Sequence, residues 1–147
     1  MDRMDRLNYI LSILILSSLA SCCPVERPQP ARPNKVLGWN DSYEGGVHSI
    51  GILVLNKGES SDNGKIGVTV LDVIPPDQCA HPNTYHGSPK AVLRFFRPSD
   101  GLVFCEFTAV GDNTNSILDC NPSAGISVIG MNAINTKEQW VYFDLRE

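Results

Sequence analysis

Past residue 35 the chain shows little helical periodicity. Short runs of β-branched and aromatic residues recur instead between turn signals, at residues 47–55 (VHSIGILVL), 65–74 (KIGVTVLDVI), 91–97 (AVLRFFR) and 102–110 (LVFCEFTAV). Further runs follow at 116–120, 126–129 and 139–145 (QWVYFDL). Runs of this length, rich in residues that suit a pleated half-buried surface, predict seven strands. Many short strands at such spacing predict an all-β fold, an antiparallel β-sandwich or partly open barrel of about seven strands in one domain.

The turns set the expected pairing. A polar stretch at 56–64 ends in Asp62-Asn63-Gly64, where Asn-Gly supplies the positive φ of a tight turn, so runs 47–55 and 65–74 are expected to pair antiparallel. Pro98-Ser99-Asp100-Gly101 predicts a second hairpin, because proline presets the first turn position and glycine can close it left-handed. Gly111-Asp112-Asn113-Thr114 predicts a third, leading into residues 116–120. With Asp112 and Asn113 at its centre, Cys105 faces Cys120 and Phe107 faces Leu118. A Cys105–Cys120 disulfide is therefore expected in an oxidising compartment, and closing a loop of about 15 residues contributes ~3 kcal/mol. Trp39 to Tyr43, with Gly45-Gly46 behind them, read as a turn entering the first strand.

The amino-terminal segment has another pattern. Residues 7–20 (LNYILSILILSSLA) are mostly apolar, too few to span a hydrocarbon core of ~30 Å and of the length of a secretory h-region. The run closes on small residues and Leu19-Ala20-Ser21-Cys22, which resembles the lipobox of bacterial lipoproteins. That resemblance covers about the first 22 residues and implies that residues 1–21 are a signal peptide, that Cys22 carries the lipid and becomes the first mature residue, and that the protein is exported and membrane-anchored. A residue other than aspartate after the lipidated cysteine, here Cys23, implies outer-membrane sorting, at the periplasmic face or cell surface, in a Gram-negative cell. The alternative is an ordinary secretory signal cut after Ala20. Residues 24–33 (PVERPQPARP) hold four prolines, which exclude helix and central strand and predict an extended tether over residues 22–34, unpartnered and reaching ~30 Å. The β domain then occupies residues 35–147.

Charge narrows the partners. The chain carries 12 bases and 16 acids for a net charge of −4, and removing residues 1–21 leaves that value unchanged. Nucleic acid is excluded as a partner, since its binding depends on Lys and Arg displacing counterions from phosphates. Five cysteines are odd in number, and lipidation of Cys22 makes the remainder even. Cys23 and Cys79 are then the candidate second disulfide, which would staple the tether to the domain; Cys79 with Cys105 or Cys120 is the competing arrangement.

Chemistry-bearing residues gather in one place. Residues 74–90 (IPPDQCAHPNTYHGSPK) form a long aperiodic connection, and long connections tend to be functional. His81, Tyr85 and His86 are its candidate binding residues. Cys79, His81 and His86, with Asp77 nearby, also form a candidate zinc or copper set. No paired Cys or His element supports that set, and the disulfide-tied loop is the preferred reading. No nucleophile elbow is present, and Asp41 with Glu44 or Asp100 with Glu106 read as exposed turn acids rather than acid/base pairs. The expectation is thus a non-catalytic, cofactor-free envelope lipoprotein, a binding or assembly accessory module held to the membrane by its lipid and meeting a protein partner in the envelope. The alternatives are a metal-binding envelope protein or enzyme using the 74–90 loop, and an inhibitor or immunity-type lipoprotein.

Overall fold

The computed structural model describes residues 27–34, 36, 38–44, 46–81, 85–111, 118–121 and 126–146, with the backbone alone for Asp41, Ser42, Glu44, Val47, Tyr85, 118–121 and 126–132. These residues form two antiparallel sheets stacked as a sandwich. In chain order the strands are β1 (Gly38–Glu44), β2 (Val47–Asn56), β3 (Ser60–Asp62), β4 (Gly67–Ile74), β5 (Lys90–Phe96), β6 (Val103–Val110), β7 (Leu118–Asn121), β8 (Ile126–Asn135) and β9 (Trp140–Arg146). One sheet has the order β1-β2-β9-β8-β7 and the other β3-β4-β5-β6. A 3-10 turn, Tyr85–Gly87, lies in the 75–89 connection.

Period-two alternation builds the inner faces. On β5, Ala91, Leu93 and Phe95 are fully buried, while Val92, Arg94 and Phe96 are partly exposed. Leu53 and Leu55 of β2 and Val141, Phe143 and Leu145 of β9 meet Val68, Val70, Leu93 and Phe95 across the gap in one continuous core. Phe107 of β6 stacks on Phe95 with ring centroids 5.8 Å apart. On β9, which lies between β2 and β8, the opposite face is also largely covered: Asp144 is buried, accepting from the Ser49 hydroxyl at 2.9 Å and the Arg146 guanidinium at 2.8 Å.

Two expected pairings are replaced. β2 and β4 lie in different sheets, so runs 47–55 and 65–74 face each other across the core instead of sharing a ladder. Each carries an apolar face, and stacking buries both. The Asn63-Gly64 turn forms as expected, with Gly64 at φ 85, but it joins β4 to the three-residue β3, which the polar stretch had concealed. Likewise β6 and β7 belong to different sheets: Phe107 faces Leu93, Cys105 faces Phe95, and Leu118 faces Val128. The Phe107/Leu118 and Cys105/Cys120 ladder is therefore absent, since β6 pairs with β5. The Pro98 to Gly101 hairpin does join β5 and β6, with Gly101 at φ 74 and Arg97 N–H donating to the Leu102 carbonyl at 2.8 Å. Among the described residues, β1 and β3 raise the strand count from seven to nine.

Two glycines admit aromatic rings. A Cβ on Gly67 would lie 2.3 Å from the Phe96 Cζ on the paired strand, so that ring rests directly on the Gly67 backbone. A Cβ on Gly51 would lie 3.2 Å from the Trp39 ring.

Candidate functional site

The two ends of the sandwich differ in chemistry. At one end Asn56 and Asn135 both pair with Trp140, and Gly111 N–H donates to the Pro89 carbonyl at 2.7 Å, which brings in the 75–89 connection. Residues 27–34 lie across this end. Arg27 donates to the Gly87 carbonyl. Gln29 Oε1 accepts from the Thr136 backbone N–H at 2.9 Å and its hydroxyl at 3.3 Å. Asn135 Nδ2 donates to the Pro30 carbonyl at 3.0 Å, and Arg32 reaches Asn56 Oδ1 at 3.3 Å. Between strap and domain, Pro28, Pro30, Pro76, Pro89 and Ile134 border a cavity of about 40 Å³. The segment has no helix or strand, as its prolines require, yet it is a strap on the domain where an unpartnered linker was expected. A proline-rich chain leaves its carbonyls unpaired, and here they and the Gln29 amide meet donors that the β8–β9 turn leaves open.

The 75–89 connection is organised from within. Asp77 N–H donates to the His86 carbonyl at 2.7 Å, and the Asp77 carboxylate accepts from Cys79 N–H at 2.9 Å. His81 and His86 are exposed at this end, while the Tyr85 side chain lies outside the described residues. Cys79 is disulfide-bonded, so the candidate Cys79/His81/His86 metal set has no free thiolate there, and among the described residues no three potential ligands converge. Cys105 is also disulfide-bonded. Cys22, Cys23 and the Cys120 side chain lie outside the described residues.

The opposite end is open. Along β1 and β2 the register runs Trp39 to Gly51, then Ser42 to Ser49 and Tyr43 to His48, with an irregularity between Trp39 and Ser42. A second irregularity falls between Ser49 and Gly51 where β2 meets β9. Each extra residue resets the alternation of faces. Trp39, Asn40, His48 and Ile50 consequently join Asn63, Lys65 and Ile66 of the β3–β4 turn around a mouth of about 240 Å³. The Trp39 indole N–H donates to the Ser61 hydroxyl at 2.8 Å and fixes one wall. Tyr43, 76% exposed, stands beside it with its ring 6.1 Å from that of His48.

The turn at the mouth consumes its own backbone donors. Asn63 N–H donates to the Ile66 carbonyl at 3.1 Å, and Gly64 N–H to Asp62 Oδ1 at 2.9 Å. Lys65 and Ile66 N–H donate to Asn63 Oδ1 at 3.0 and 2.9 Å. That leaves the Asn63 amide nitrogen, the Asn40 amide and the Lys65 ammonium as groups without a partner among the described residues. Among the described residues no carboxylate lines the mouth.

Of the acids singled out in the sequence, Asp100 binds Arg97 at 2.9 Å and Glu106 binds Arg94, while the side chains of Asp41 and Glu44 lie outside the described residues. The Leu102 N–H, followed by the nearby Arg97 charge, lowers the Asp100 carboxyl below its ordinary value. Lys57 hydrogen bonding, then the Val73 N–H, does the same for Asp72. Neither belongs to the mouth. The residues that line it are not announced by the sequence, because Trp39 to Tyr43 with Gly45-Gly46 read as a turn and the bulges have no local signature; only Asn63-Gly64 marks the position of its tip. Compared with family models, curated proteins and solved structures, the chain matches none.

Proposed function

We propose that this is an exported lipoprotein anchored through Cys22, in the outer membrane if the cell is Gram-negative, and that its domain is a non-catalytic binding or assembly accessory module whose contact surface is the open mouth. The observation that carries this reading is the docking of the strap at the end opposite that mouth. From Cys22 to Arg27 is five residues, a reach of at most ~17 Å, so a lipid on Cys22 holds the strap end against the membrane. Strands of seven to ten residues then carry the mouth roughly 25 Å further out. His81 and His86 face the anchored side. Trp39, Asn40 and Lys65 face outward, where an envelope partner is met.

Disulfides fit the same arrangement. We assign Cys23 to Cys79 and Cys105 to Cys120, which accounts for the bonded state of Cys79 and Cys105. The Arg27 contact with Gly87 brings the chain following Cys23 onto the loop that carries Cys79. Because β6 and β7 lie in different sheets, a Cys105–Cys120 bond ties the sheets together. A photo-crosslinking residue at Asn40, in the native envelope, is expected to capture a defined partner that the same probe at Lys137 on the strap end does not. Equal capture from both positions, or from Lys137 alone, refutes the mouth as the contact surface.

A further inference from the structure

We infer that the mouth binds one carboxylated sugar ring of an envelope or surface glycan, an inference that rests on the mouth being the contact surface. The volume of about 240 Å³ lies below the ~300 to 1,000 Å³ typical of drug-sized ligands, which suits a single ring or terminal residue. Its lining combines the Trp39 indole and the Ile50 and Ile66 side chains with two amides, Asn40 and Asn63, and one ammonium, Lys65. A pyranose matches that set, having an apolar C–H face for the indole and aliphatic groups and adjacent hydroxyls that both donate to and accept from an amide.

Charge and donor geometry select among anions. Lys65 is the fixed cation of the lining, and among the described side chains that form it no carboxylate stands opposite. A phosphate or a peptide carboxyl terminus is typically cradled by convergent backbone N–H groups. Here the N–H groups of Asn63, Gly64, Lys65 and Ile66 are all spent within the turn. What remains is one ammonium and side-chain amides, which suits a single carboxylate on a hydroxyl-bearing ring.

The test uses full-length protein in detergent with 15N-labelled tryptophan, which gives two indole signals. Trp39 lines the mouth, whereas Trp140 is buried and bonded to Glu138, so it serves as an internal control. Methyl glucuronoside is expected to shift the Trp39 signal saturably and leave Trp140 unmoved. Methyl glucoside, which lacks the charge, is expected to bind about tenfold more weakly, as is the uronoside to Lys65→Gln, whose thermal midpoint should stay at the wild-type value. Equal binding of acid and neutral sugar, or an unchanged affinity in Lys65→Gln, overturns the role of the carboxylate. If neither sugar moves Trp39, the saccharide inference falls, while crosslinking from Asn40 decides separately whether the mouth is a contact surface.

Discussion

The Trp39 indole N–H donates to the Ser61 hydroxyl over 2.8 Å, joining β1 at the edge of one sheet to β3 at the edge of the other. The two strands share no ladder, so this bond holds the sheets at the wall of the mouth. Trp39→Phe keeps most of the ring and removes the donor. It is expected to lower stability by about 1 kcal/mol, a few degrees in thermal midpoint. Denaturant unfolding checks the loss, and Ser61→Ala in the Trp39→Phe background should add little, because both changes break the same bond.

Gly67 and Phe96 give a prediction of sign. Alanine in place of glycine within a strand normally stabilises by limiting the unfolded chain. Here the new Cβ would displace the Phe96 ring from its seat, so Gly67→Ala is expected to destabilise by about 1 kcal/mol. In a Phe96→Ala background the ring is gone, and the same substitution should be neutral or stabilising. A double-mutant cycle by chemical denaturation measures the reversal.

The strap has its own signature. Arg27→Ala with Gln29→Ala removes the contacts to Gly87 and Thr136 while leaving the core untouched. Limited proteolysis within residues 27–34 is expected to accelerate, and hydrogen exchange of the Thr136 amide to rise, with the thermal midpoint of the domain changing by only a few degrees.

These contrasts show what the sequence carries and what it does not. The Pro98 to Gly101 and Asn63-Gly64 turns are local, set by residues whose φ preferences are known in isolation, and they form where expected. The alternation along 91–97 identifies the core face of β5 for the same reason. Sheet membership is not local: the run 65–74 carries the apolar face needed either to pair with 47–55 or to pack against it, and the energy of burial decides for packing. The mouth depends on bulges that no residue near Trp39 or Ser49 announces. The strap was hidden because prolines tell only what a chain cannot form, whereas its docking depends on the distant Asn135 and Thr136.

Acid should weaken the fold through Asp72 and Asp100. Both carboxyls are held below their ordinary value of 3.8 by hydrogen bonds, to Lys57 and Val73 in one case and chiefly to Leu102 in the other. A depressed carboxyl contributes stability above its unfolded value and loses it as pH falls through the folded value. Stability attributable to these groups is therefore constant above about pH 5 and declines from about pH 4 downward. Comparing Asp72→Asn with the parent by denaturant unfolding should show a gap at pH 6 that narrows toward pH 3.

The central claim is polarity: a lipid at the strap end, and the mouth pointing away. It is tested most directly by placing a fluorophore at Lys65 or at Lys137 in the lipidated protein, reconstituted in vesicles carrying a headgroup quencher. Strong quenching at Lys137 and little at Lys65 is the predicted result. Stronger quenching at Lys65 than at Lys137 would contradict it.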